Sequence, residues 1–166
     1  SDLPAQVAGE VPEGPTAEGR LTLGEWVPHK DQKKMDRFIH LAMVAAAEAV
    51  EDSGWVPQTD EDRWGTGVMI GSGIGGLPAI YETSLLISQG KAKRISPFFI
   101  PSALINLASG HVSIRYGFQG PNHSAVTACA TGVHALGDAA RLIALGDAEV
   151  MVAGGTEAAV AEIGVA

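Results

Sequence analysis

The segment TACATG, Thr127–Gly132, holds the only cysteine among 166 residues, and it falls where a strand-like run passes into a helix-like one. A thiol at that junction has a definite chemistry. The unpaired amides of a helix's first turn and the positive end of its dipole favour thiolate over thiol, and the thiolate is the nucleophile. Ala128, Ala130 and Gly132 are small. They leave space for a substrate carbonyl and let backbone N–H groups approach its oxygen. A sharp strand-to-helix turn exposes the attacking atom of hydrolases in the same way. The competing role is that of a small buried hydrophobe, common for free cysteine, and position alone leaves both roles open.

Two further patterns could carry chemistry. GSGIGG, Gly71–Gly76, satisfies GxGxxG directly after the apolar run GVMI, Gly67–Ile70. A dinucleotide site also wants an acidic residue about 20 positions on. That region instead holds Lys91, Lys93 and Arg94, which leaves only a 2′-phosphate cofactor such as NADP as a nucleotide option. Four of the 11 Lys and Arg residues, Lys30, Lys33, Lys34 and Arg37, crowd together beside His29, with Lys93 and Arg94 as a smaller group. A helix beginning near Asp31 or Asp36 would put Lys33 and Lys34 at its positive end, where each cation is disfavoured by ~0.3–1 kcal/mol. Either this is a solvated face, or an acidic partner docks there.

The elements that must position these residues are legible from spacing. Met35, Phe38, Ile39, Ala42, Ala46 and Val50 recur at helical intervals and Gly54 supplies a stop, predicting a helix over 36–53. Gly67–Ile70 is a short buried strand, and after the glycine loop a helix carries Ile80, Leu85 and Leu86. Pro97 and Pro101 should hold Phe98–Ile100 extended, with Pro101 in the first turn of a helix that Gly117 ends. The tail repeats the unit, with a strand over 124–127, a helix over 131–145 and a strand over 150–153. Strands alternating with helices predict an α/β layered fold. The first 25 residues, broken by Pro4, Pro12, Pro15 and several glycines, predict an irregular arm.

Composition narrows the classes. With 46% hydrophobic and 18% charged residues the chain can bury one core, and its net charge of −8 argues against nucleic acid as the main partner. One cysteine cannot form an internal disulfide, which suits a reducing compartment and predicts a cytoplasmic protein. No apolar run approaches the ~18 residues of a membrane span.

Longer blocks carry a resemblance. GPNHSAVTACATGVHALGDA (Gly120–Ala139) and GDAEVMVAGGTE (Gly146–Glu157), with KKMDRF (Lys33–Phe38), GSGIGG, ISPFFIPS (Ile95–Ser102) and NLASGHVS (Asn106–Ser113), resemble the condensing enzymes of fatty-acid synthesis in family order. The type II branch of the β-ketoacyl-acyl carrier protein synthases is most similar. That family implies a thiolase-like fold, a mixed sheet flanked by helices, of which residues 1–166 would be the N-terminal half. The opening strand would be missing, as would the C-terminal half with its two catalytic histidines, lysine and glycine-rich phenylalanine loop. His111, His123 and His134 match neither family histidine. The segment alone is not expected to complete the reaction.

The implied reaction is a decarboxylative Claisen condensation on an acyl-Cys129 intermediate, with acyl carrier protein as partner and neither metal nor organic cofactor. The resemblance assigns Ile74 and Phe99 to the acyl pocket. It assigns Lys30, Lys33, Lys34, Arg37, Lys93 and Arg94 to carrier docking, and it implies a homodimer. Two other classes stay open: a polyketide ketosynthase or coenzyme A thiolase, and a non-catalytic or nucleotide-binding module built on GSGIGG.

Overall fold

Phe38, Ile39, Ala42, Met43 and Ala46 form the buried face of helix α3, Arg37–Ser53, and around this face the rest of the chain is packed. The structure is a computed structural model that describes residues 6–165. Two short helices, α1 (Leu23–Trp26) and α2 (His29–Gln32), precede α3, and α4 (Asp60–Trp64) follows it. Then come strand β1 (Thr66–Gly71), helices α5 (Leu77–Ser88), α6 (Phe99–Ala103) and α7 (Leu107–Tyr116), strand β2 (Asn122–His123), helix α8 (Thr131–Leu145), strand β3 (Val150–Gly155) and the short α9 (Glu162–Val165).

The predicted α/β layering is present. β1 is buried along its whole length and lies between β2 and β3. Its side chains alternate between the faces, so Val68 and Ile70 join Phe38, Ala108 and Val112 in one core while α8 covers the other face. Both pairings are parallel, with Val68 opposite Asn122 and Thr66 to Gly71 opposite Val150 to Gly155. The mixed sheet implied by the resemblance is therefore not what the described strands build. Each is reached through a helical crossover that returns the chain to the end where the previous strand began.

Three local expectations change. The strand expected over 124–127 is displaced to Asn122–His123, because side chains take over beyond it. The Ser124 hydroxyl donates to the Ile70 carbonyl at 2.7 Å, and the Thr127 N–H donates to Thr131 Oγ1 at 2.8 Å. Phe98–Ile100 is not extended: Phe98 has φ −90° and ψ 4°, and α6 begins at Phe99. Pro101 does sit in that first turn, where its missing N–H costs nothing. That helix stops at Ala103, however, and it is α7 that Gly117 ends at φ 68°. The irregular arm is tied down where described. It contains a 3₁₀ turn at Thr16–Glu18 and a bridge between Glu13 and Leu21, and Glu13 accepts from Arg37 at 2.8 Å. Residues 1–5 lie outside the described residues.

Ser109 locks helix to sheet. Fully buried on α7, its hydroxyl oxygen accepts the Ile70 N–H at 2.8 Å and lies 2.7 Å from the His123 carbonyl, joining β1 to β2 through one side chain. Removing it leaves a buried amide without a partner. Ser109→Ala is expected to lower unfolding free energy by about 1–3 kcal/mol, read from urea denaturation.

Candidate active site

The thiol sits on a strained turn. Residues Ala128–Ala130 form one 3₁₀ turn that runs directly into α8, and Cys129 at its centre is exposed. Ala128 has φ 49°, the one non-glycine residue with positive φ among the described residues. Left-handed backbone at an L-residue costs roughly 1–2 kcal/mol and persists only where the surroundings impose it. Here Ala130 N–H donates to the Thr127 carbonyl at 3.0 Å, and the buried Thr131 hydroxyl accepts from Thr127. The sharp strand-to-helix junction expected at Cys129 is not formed: β2 ends at His123, and the 3₁₀ turn Ala128–Ala130 leads into α8 instead. Cys129 faces solvent, so the described residues do not bury it as a small hydrophobe.

A cleft of about 590 Å³ opens beside it, lined by Cys129, Ile74, Gly73, Gly132, Thr156 and Glu157 among others. Cys129 and Ile74 therefore share one space. Phe99, at the start of α6, is half-buried and lies outside that lining. The GSGIGG loop is held by Glu157. Its Oε1 accepts from the Ser72 hydroxyl at 3.1 Å, its Oε2 accepts from the Ile74 N–H at 2.9 Å, and Ser72 Oγ in turn accepts from the Gly75 N–H at 3.0 Å. A Cβ on Gly73 would stand 3.0 Å from Glu157 Oε2 and 3.3 Å from the Ala128 Cα, so a side chain there would press on both the carboxylate and the cysteine turn.

This arrangement answers the nucleotide alternative. A phosphate cradle needs free amides and no competing anion, and here a carboxylate already occupies the Ile74 amide. No role for Glu157 was legible in the sequence, where it is simply the last residue of GGTE. The available signal was its place at the end of a strand, on the same sheet edge as the glycine loop.

The basic residues are placed differently from expectation. Lys33 caps the C-terminal end of α2 and precedes α3 by several residues, so it is next to a negative helix end and not inside a positive first turn. Lys34 is paired with Asp31 at 2.7 Å and lies over the Phe98 ring, 5.9 Å from its centroid. Arg37 is paired with Glu13. Lys30 and Lys33 are exposed and make no ion pair among the described residues, as are Lys93 and Arg94 in the 3₁₀ turn Ala92–Arg94. Lys34 against Phe98 joins the segment of the first group to that of the second.

The histidines stand apart from the cleft lining. His134 faces Thr127 Oγ1 through Nδ1 at 3.1 Å and Asp138 through Nε2 at 3.1 Å. On α7, burial holds the His111 imidazole below the usual histidine range, and its Nε2 is buried without a partner. Asp36, the N-terminal cap of α3, accepts the Ala79 N–H at 2.9 Å through Oδ2, and burial pushes its carboxyl up. Among the described residues no group of three His, Cys, Asp or Glu side chains could hold a metal ion, and no helix is long and apolar enough to cross a membrane.

Residues 1–166 match the family model described as beta-ketoacyl synthase, N-terminal domain. The chain belongs to this family. It is 55% identical over 99% of its length to 3-oxoacyl-[acyl-carrier-protein] synthase 2 of Rhizobium meliloti, covering 39% of that relative. It is 50% identical to the mitochondrial 3-oxoacyl-[acyl-carrier-protein] synthase of Arabidopsis thaliana over 99% of the chain and 35% of the relative. The chain thus spans well under half the length of these relatives. Among solved structures, the ketosynthase of a type II polyketide system, in complex with its acyl carrier protein and bound to a hexaketide, superposes with a TM-score of 0.77 at 24% identity. That match covers 87% of this chain and 42% of the other, and it establishes the shared ketosynthase fold.

For this β-ketoacyl synthase domain, the strain at the cysteine turn is measurable. Ala128→Gly should leave stability unchanged or raise it by up to about 1 kcal/mol, because relief of strain opposes glycine's larger loss of backbone entropy. Ala128→Val, β-branched at positive φ, should lower the melting temperature. Equal melting temperatures for Gly and Val variants would mean that the turn is not strained.

Proposed function

We propose that this chain is the nucleophile-bearing N-terminal half of a 3-oxoacyl-acyl carrier protein synthase that extends fatty acyl chains. The observation that carries the reading is Cys129, exposed on a strained turn at the start of α8 and lining a cleft with Ile74. The relatives above, named for that activity, support it. The Cys129 sulfur attacks the thioester carbonyl of an acyl group on the carrier, and the oxygen becomes an oxyanion held in part by the cysteine's own N–H. Collapse expels the carrier thiol and leaves the acyl group on sulfur. Malonyl-acyl carrier protein then loses carbon dioxide, and its carbanion attacks the acyl-cysteine carbonyl. The 3-oxoacyl product leaves on the carrier, two carbons longer, and the thiol is regenerated. In the family, histidines assist this second half-reaction, and none of the histidines here matches them.

In this reading Ile74 lines the acyl pocket, with Phe99 as a second pocket residue reached from outside the Cys129 cleft. Lys30 and Lys33, exposed and without an acidic neighbour in an ion pair, are the leading carrier contacts, with Lys93 and Arg94 beside them; Lys34 and Arg37 must first release Asp31 and Glu13. A homodimer belongs to the same reading, supported by β2 standing at a sheet edge and by exposed Val126, Val133 and Leu136 nearby. A cytoplasmic setting goes with it.

Two experiments test the proposal. Full-length protein incubated with acyl-loaded carrier should gain one acyl mass on Cys129, and Cys129→Ala should gain none and lose condensation by roughly 10³-fold or more. An adduct that survives in the Ala variant would move the nucleophile elsewhere. Lys30→Glu with Lys33→Glu should raise the apparent KM for carrier-linked substrate roughly three- to tenfold at low salt, the difference shrinking as salt is added. Unchanged kinetics at low salt would remove the docking surface.

A further inference from the structure

We propose that Glu157 is a positioning residue that sets which acyl chains reach Cys129, by clasping the loop that carries Ile74. The proposal rests on the acyl-transfer reading above. Its basis is mechanical. Glu157 lies two residues past the end of β3, and Thr156 between them is anchored twice, by N–H donation to the Gly71 carbonyl at 2.9 Å and by hydroxyl donation to the Phe38 carbonyl at 2.7 Å. The carboxylate is therefore mounted on a fixed base joining β1, β3 and α3.

From that base it reaches both ends of one turn. Ser72 donates to Oε1 and the Ile74 N–H donates to Oε2, while Ser72 Oγ accepts from Gly75. The remaining contact of Oε1 is local, from the Ala158 N–H at 3.3 Å. Ser72 is buried, so one end of the clasp is shielded from water, whereas Ile74 is 49% exposed and projects from a turn whose own side chain has little to hold it. The bond to its backbone fixes where that side chain stands over the cleft. Gly73 lies close to both the carboxylate and Ala128, since an added Cβ would stand 3.0 Å from Glu157 Oε2 and 3.3 Å from the Ala128 Cα, so the clasped loop packs against the cysteine turn. Without the clasp, Ile74 is free to swing, the space beside the sulfur widens, and discrimination against long acyl groups falls.

The test uses full-length protein with Glu157→Ala, Glu157→Gln and Ser72→Ala. Amide hydrogen exchange reads the clasp without any substrate. Exchange across 72–76 should accelerate about tenfold in Glu157→Ala and less in Ser72→Ala, and Glu157→Gln, which can still accept from Ile74, should stay close to the parent. Acylation of Cys129 by long- and short-chain acyl carrier protein reads the consequence. The long-to-short rate ratio should rise about five- to tenfold in Glu157→Ala and return toward the parent in Glu157→Gln, a rescue that general loss of stability would not give. Unchanged exchange overturns the clasp, and faster exchange with an unchanged ratio overturns its control of chain length. Should Glu157→Ala fail to fold, Ser72→Ala decides by the same two readouts. A parent protein that takes up no acyl group at all would defeat the acyl-transfer reading instead, and exchange would still decide the clasp.

Discussion

Parallel pairing of β1 with both of its neighbours is the constraint on which the site depends. It puts the carboxyl ends of all three strands on one edge of the sheet, where ligands of open α/β sheets bind. The segment after β1 is the glycine loop, the one after β2 is the cysteine turn, and the one after β3 is Thr156–Glu157. These three are distant in sequence, and they meet because no strand reverses direction. An antiparallel neighbour would have carried its loop to the opposite edge.

Once the three segments converge, steric limits decide their composition. β1 is wholly buried, its one polar side chain, Thr66, lies at its start bonded to the Asp62 carbonyl and the Trp55 indole, and the polar contacts of its far end run through Ser72, Ser109 and Ser124. Hydroxyls suit this position because each can accept an amide and donate to a carbonyl in a small volume. They also explain why β2 is so short: the ladder beyond His123 is replaced by side-chain bonds, which turn the chain and push Cys129 outward. The strain at Ala128 is held by those bonds and by the hydroxyl of Thr131.

Electrostatics around the site are arranged locally. Acidic and basic side chains near α2 and α3 pair off as Lys34 with Asp31 and Arg37 with Glu13, which leaves Lys30 and Lys33 as the exposed positive charges of that segment. An isolated surface pair of this kind contributes about 0–1 kcal/mol, so these pairings can be exchanged for contacts with an acidic partner at small cost. Glu157 differs, because its acceptors are committed to loop amides and a hydroxyl, which gives it a geometric task beyond its charge.

By itself the sequence placed the main elements and singled out Cys129 as the candidate nucleophile. Helical spacing placed α3 within one residue and α8 at its observed bounds, the apolar runs located β1 and β3, and the lone cysteine before a helix pointed to its own chemistry, since these signals depend on neighbours a few residues apart. The family blocks, each a short run, identified the kind of protein. What required the tertiary structure were relations across long separations. That β2 ends at His123 follows from Ser124 and Thr127 finding Ile70 and Thr131. That Pro101 and Gly117 belong to different helices follows from the break at Leu104. That Lys34 and Arg37 are already paired, and that Glu157 grips a loop more than eighty residues before it, are facts of packing. Local propensity has no access to a hydrogen bond whose partners are brought together only when the parallel sheet has formed.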